Sequence, residues 1–227
     1  FPLWFFRDET YYLQTWHGTP LKKMHWDVTV RKVNTTPAFF VKSKGWHSLL
    51  SPNHYSTKKF ESCFRYSGTI LETGYPANDI FSNPDQYKLV RKSIRSKLGI
   101  ADDKKIVLYA PTWRDGGHLG NSKFKFDLML DVDVALEKTP SEYVFLIRAH
   151  HMSEANEIKG QLSSKDENRL IDVSHWDDAI ELMCAADILV SDYSSIVYDW
   201  ACSGKPVVYF IPDLEEYRTK LRGMYYD

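Results

Sequence analysis

The sequence predicts an α/β protein built on a doubly wound parallel sheet. Three apolar runs, Ile106–Ala110, Tyr143–Ile147 and Asp187–Val190, lack the polar alternation of a half-exposed strand, so they fit strands covered on both faces. Amphipathic helical patterns separate them, and a polar cluster follows the carboxyl end of each. In such sheets ligands sit outside the carboxyl ends of the strands.

Taken in order, the first informative segment is Gln14-Thr15-Trp16-His17-Gly18-Thr19-Pro20-Leu21-Lys22. Gly18 permits positive φ and close approach to a ligand, and Thr19 and Pro20 suit N-cap and N1 of a helix. The backbone of such a start, over Gly18 to Leu21, would hold an anion through its free N–H groups beside His17, whose imidazole can remove a proton near neutral pH. The same residues also suit a buried histidine satisfied in a Gly-Pro turn. Ala38–Val41 predicts a strand, followed by a helix through Trp46, Leu49 and Leu50. This part is too short for a complete doubly wound domain and reads as the closing part of one. Asn83 and Pro84 open a helix whose apolar stripe, Tyr87, Val90, Ile94 and Leu98, stops at Gly99. Strand Ile106–Ala110 delivers Pro111, Thr112 and Arg114, and a glycine-containing loop leads to a helix from Phe126 to Leu136. Strand Tyr143–Ile147 delivers Arg148 and His150. Leu170–Val173 is a shorter strand, and Ser174 with Asp177 predicts a capping box for a helix carrying Ile180, Met183 and Cys184. Strand Asp187–Val190 delivers Asp192, Ser194 and Ser195, before a helix over Ser195–Ser203 and a strand over Pro206–Phe210.

Composition limits the class. With 43% hydrophobic and 26% charged residues the chain can bury a core, and no apolar run approaches the ~18 residues of a membrane span. Cys63, Cys184 and Cys202 are odd in number and far apart, which predicts reduced thiols and a cytoplasmic setting. Phe1 runs into charged residues without a signal-peptide pattern, and the start at Phe1 and end at Asp227 suggest a piece of a longer chain. Net charge is −1, but Lys22, Lys23, Arg31, Lys32, Lys42, Lys44, Lys58 and Lys59 stand against Asp27 alone between Leu21 and Phe60. This local field suits an anionic partner (a phosphate polymer, a membrane surface or nucleic acid) or a solvated face with counter-charges elsewhere.

The three polar clusters share one sheet edge. Ser194 and Ser195 offer hydroxyls and amides for phosphate, or serve as ordinary caps. Arg148 and His150, two apart, point to the same side and could clamp a phosphoryl group. His25, His47, His54, His118 and His175 lack such neighbours. No Walker or dinucleotide fingerprint is present, no carboxylate pair has a glycosidase pattern, and no Asp-rich motif announces a metal, so metal-free transfer of a phosphate-bearing group fits best.

These motifs, with Gly74-Tyr75-Pro76-Ala77-Asn78-Asp79, Ala110-Pro111-Thr112-Trp113-Arg114, Arg148-Ala149-His150, and Ser191-Asp192-Tyr193-Ser194-Ser195 with Asp199, resemble those of the CDP-glycerol glycerophosphotransferases of Gram-positive envelopes. The resemblance implies a GT-B-like fold of two Rossmann-like domains. Here that gives the end of an acceptor-side domain over 1–75, a linker and helix over 76–103, and a nucleotide-binding domain over 104–227. It implies that His17 is the general base for an acceptor hydroxyl, with His150 and Arg148 stabilising phosphate charge. Pro111 and Thr112 would then lie near the nucleotide, and Ser194, Ser195 and Asp199 would hold phosphates and glycerol. CDP-glycerol would be the donor substrate, with no cofactor or metal and no nucleic acid. The acceptor would be poly(glycerol phosphate) or a lipid-linked chain at the cytoplasmic face of an anionic membrane. CDP-ribitol, or non-catalytic nucleotide binding, are the alternatives. Family members usually carry arginine where this chain has Ala77 and proline where it has His151.

Overall fold

The computed structural model describes residues 7–28, 43–112, 128–149, 168–216 and 223–226. Two compact units emerge: residues 1–78 with 213–227, and residues 79–212. Both contain only parallel sheet strands among the described residues, so the α/β class expected from the sequence stands.

In the first unit, strands β1 (Leu13–Gln14), β2 (Ser48–Ser51) and β3 (Thr69–Glu72) lie in that order. Helix α1 (His54–Phe64) joins β2 to β3, and the Asn53 side chain caps it by accepting from the Ser56 amide at 2.9 Å. Its Phe60, Cys63 and Phe64 close over Leu49, with Trp16, Trp46 and Ile70 at the margin. The expected helix through Trp46, Leu49 and Leu50 is a correction: Leu49 and Leu50 are in β2. Successive strand side chains point to opposite faces, and all four residues of β2 are buried, so both faces are covered and no helical stripe is needed. The expected strand over Ala38–Val41 lies outside the described residues. Residues 223–226 return to this unit. Met224 bridges Lys22 in antiparallel sense, the Lys23 amide donates to Gly223 O (3.1 Å), and the Tyr225 amide donates to Leu21 O (3.0 Å).

The second unit holds β4 (Lys105–Tyr109), β5 (Tyr143–Ile147), β6 (Leu170–Asp172), β7 (Ile188–Ser191) and β8 (Val207–Tyr209), with spatial order β6-β5-β4-β7-β8. Around them run α2 (Pro84–Lys97), α3 (Val132–Lys138), α4 (Ala179–Ala185) and α5 (Ile196–Ala201). Alternate residues of the central strands serve two cores. Ile106, Leu108, Val144 and Leu146 pack under α2, α4 and α5, while Val107, Tyr109, Phe145 and Ile147 meet Val132 and Leu136 of α3. Helices on both faces are what the uninterrupted apolar runs require, each buried Leu or Ile contributing ~1.5–3 kcal/mol.

The helix that was expected to start at Phe126 starts instead at Val132, where the Asp131 carboxylate caps it by accepting from Val134 N (3.0 Å). Ser174 is not the cap of α4. Asp178 is, accepting from Ile180 N at 2.8 Å, because the Ser174 hydroxyl is taken by the Ala149 amide (3.0 Å) at the end of β5. At the other end of α4, Arg91 donates to the carbonyls of Cys184, Ala185 and Ala186, and Lys205 to those of Met183, Cys184 and Ala186. Two cations thus satisfy the carbonyls that the last turn leaves open. No helix among the described residues is long and apolar enough to cross a membrane.

Candidate functional site

His17 lies past the carboxyl end of β1, on a turn with unusual backbone. Trp16 has φ 55° and Gly18 φ 148°, so the left-handed freedom expected of Gly18 is used, and the residue two before it is forced there as well. Gln14 supports Trp16 by accepting from its amide (2.8 Å). The imidazole packs at a tilt against the Trp16 indole, ring centroids 4.2 Å apart, while its outer edge stays exposed. This partial burial penalises the imidazolium and holds the His17 pKa below the usual histidine value. A histidine so placed is neutral at physiological pH and suited to accept a proton.

The helix expected from Thr19 and Pro20 is absent. After Pro20 the chain stays extended, because Leu21 to Lys23 pair with Gly223 to Tyr225. Gly18, Thr19 and Pro20 are buried and Leu21 half-buried. An anion cradle at a helix start is therefore not what surrounds His17. Two tyrosines missing from the sequence-based site reach this turn: Tyr75 donates its hydroxyl to Gly18 O (3.2 Å), and Tyr55 to Pro20 O (3.0 Å). Tyr75 stands in the Gly74-Tyr75-Pro76 segment. Nothing local marks Tyr55.

In the second unit the strand order reverses between β4 and β7, the switch point at which open α/β sheets bind ligands. The described residues of the expected cluster lie along the carboxyl ends of these strands and of the neighbouring β5. The buried Asp192 carboxylate accepts from the Thr112 amide (2.7 Å), and the Ser191 hydroxyl donates to Ala110 O (2.7 Å). Both bonds tie the end of β4 to the end of β7. Pro111 and Thr112 are half-buried at this edge, as are Ser194, Ser195 and Asp199 around the start of α5. Ser194 Oγ accepts weakly from Ile196 N (3.4 Å), and Ser195 is the N-cap residue without a side-chain cap bond. Next to β4, at the end of β5, the Arg148 guanidinium donates to Trp176 O (2.5 Å), which fixes its direction. Burial lowers its pKa and the nearby Asp178 and Asp177 oppose that shift. Arg114 and His150 lie outside the described residues. No group of three or more metal-ligating side chains occurs among the described residues.

The sequence profile of the family CDP-Glycerol:Poly(glycerophosphate) glycerophosphotransferase matches residues 1–227. The chain belongs to this family. Among glycerophosphotransferase relatives, a teichoic acid poly(glycerol phosphate) polymerase of Bacillus subtilis (strain 168) is 40% identical over 100% of this chain and 31% of its own length. The same enzyme of Bacillus spizizenii is also 40% identical, over 58% of its own length. A teichoic acid poly(ribitol-phosphate) polymerase of Bacillus spizizenii is more distant, 31% identical over 70% of this chain. The solved structure of the wall teichoic acid polymerase TagF superposes with a TM-score of 0.83 at 37% identity, covering 97% of this chain and 54% of that one. The chain thus spans between about a third and somewhat over half of these glycerophosphotransferases, and its parallel-sheet units take the GT-B-like fold.

Proposed function

We propose that the protein transfers glycerol phosphate from CDP-glycerol to a glycerol-phosphate-terminated acceptor, releasing CMP, in the synthesis of a teichoic acid or related envelope polymer. The supporting observation is a solvent-edged, neutral histidine on a backbone-constrained turn, in a chain whose relatives are poly(glycerol phosphate) polymerases. His17 takes the proton from the terminal acceptor hydroxyl. The acceptor oxygen forms a bond to the β-phosphorus of CDP-glycerol, the bond from that phosphorus to the bridging oxygen breaks, and CMP leaves carrying that oxygen. The proton left on His17 passes to solvent. Arg148 and His150 counter the charge that builds on the phosphates. Pro111 and Thr112 border the nucleotide, while Ser194, Ser195 and Asp199 hold phosphates and glycerol. Asp192 acts one step back, by fixing the Thr112 backbone. The excess of lysine and arginine between Leu21 and Phe60 supports a polyanionic or lipid-linked acceptor at the cytoplasmic face of an anionic membrane.

The test is release of CMP from radiolabelled CDP-glycerol by the full-length protein with a lipid-linked acceptor. His17→Asn and His150→Ala should each cut the rate by ~10²-fold or more. Wild-type rates in both variants would remove the assignment.

A further inference from the structure

The turn that carries His17 is held from two sides. Tyr75, just past β3, bonds the carbonyl of Gly18, and Tyr55, in the first turn of α1, bonds the carbonyl of Pro20. Just ahead of these two points the backbone is one that the chain would not keep by itself: Trp16, a bulky aromatic residue at φ 55°, persists there only where its surroundings over-determine it. Tyr55 is braced in turn. Its ring stacks on Tyr226 (centroids 4.9 Å, 13°), and the Lys59 ammonium lies 5.3 Å from its centroid. The two hydroxyls come from different elements of one unit, so the turn is pinned against the ends of both β3 and α1.

We infer that Tyr55 and Tyr75 are positioning residues for His17, their hydroxyls gripping the carbonyls on either side of Thr19 and so setting the direction in which the imidazole leaves the turn. They act through the backbone and touch no reacting atom. The inference rests on His17 being the base. Its magnitude follows from the sensitivity of proton transfer to geometry, where a misplacement of about 1 Å costs up to ~10²-fold.

Tyr55→Phe and Tyr75→Phe keep the rings and remove only the hydroxyls. Tyr66→Phe is the internal control, because Tyr66 also donates to backbone carbonyls of this unit, those of Trp46 (3.2 Å) and Thr69 (3.4 Å). In the full-length protein each of the first two changes should lower kcat for CMP release ~10-fold with KM for CDP-glycerol within about twofold. Tyr66→Phe should leave kcat unchanged. A second measurement needs no activity: the rate at which diethyl pyrocarbonate modifies His17, followed by peptide mass spectrometry at pH 7.5. It should rise in Tyr55→Phe and Tyr75→Phe and stay at the wild-type value in Tyr66→Phe. Folded Tyr55 and Tyr75 variants with wild-type kcat and wild-type modification rate would overturn the inference, as would a loss that Tyr66→Phe reproduces. An inactive wild-type protein would instead count against the proposed reaction, and the modification rates would still decide whether the tyrosines set the ring.

Discussion

His17 illustrates how a single side chain acquires a role from its immediate surroundings. Because partial burial against Trp16 lowers its pKa, the base form predominates at pH 7, and acid should switch it off. The kcat/KM for CMP release should therefore be flat around neutrality and fall on the acid side with a midpoint below 6.5; a pH–rate profile with its midpoint at or above that value would contradict the placement of the ring. The histidine and the need for Gly18 were legible because both are local: one titratable ring, one residue free of Cβ. The direction of the chain after Pro20 was not. Thr19 and Pro20 carry a genuine helix-start preference, yet it is outweighed by pairing with Gly223 to Tyr225, which no pattern near Pro20 announces. Asp192 was legible as part of a polar cluster but not as the buried acceptor of the Thr112 amide.

Among the elements, β4, β5 and β7 could be read directly because each is a run of apolar residues with both faces covered. β2 was missed since two leucines between two serines form too short a run to distinguish strand from helix. α1 was missed although Asn53 and the Phe60–Phe64 pair mark it, because polar residues fill most of its first two turns and only Tyr55 marks an apolar face ahead of Phe60. α4 carries the next prediction. Lys205, which caps its C-terminal carbonyls, has a pKa lowered to about 8 by burial foremost and by Arg91, against 10.5 ordinarily. The unfolded chain therefore holds a proton between pH 8 and 10.5 that the folded protein has released, so this group makes stability rise with pH across that window. Below pH 8 its full desolvation cost is present. Urea midpoints measured at pH 7.5 and 9.5 should show this rise in the wild type, less of it in Lys205→Met, and an equal slope in both proteins would refute it.

For the whole molecule, the proposed reaction requires the second unit's switch point between β4 and β7 to take a cytidine nucleotide rather than a nucleic acid. Calorimetry should show CDP-glycerol binding more tightly than CDP-ribitol, with affinity unchanged within about twofold, ~0.4 kcal/mol, on adding EDTA. Tight, salt-sensitive binding of a short RNA with no cytidine preference would instead indicate an anion-binding module. The return of residues 223–226 to the first unit has a consequence in time. Tyr225 and Asp27, joined by a 2.6 Å hydrogen bond, are 198 residues apart, which is roughly ten to forty seconds of ribosomal synthesis. Residues 79–212 form an unbroken stretch and emerge whole while the first unit still lacks the segment that pairs with Leu21 to Lys23. Within this stretch of chain the second unit can therefore fold first, and the segment after His17 meets its partner only once synthesis has passed Tyr225, so the turn that carries the imidazole is completed after the unit that follows it.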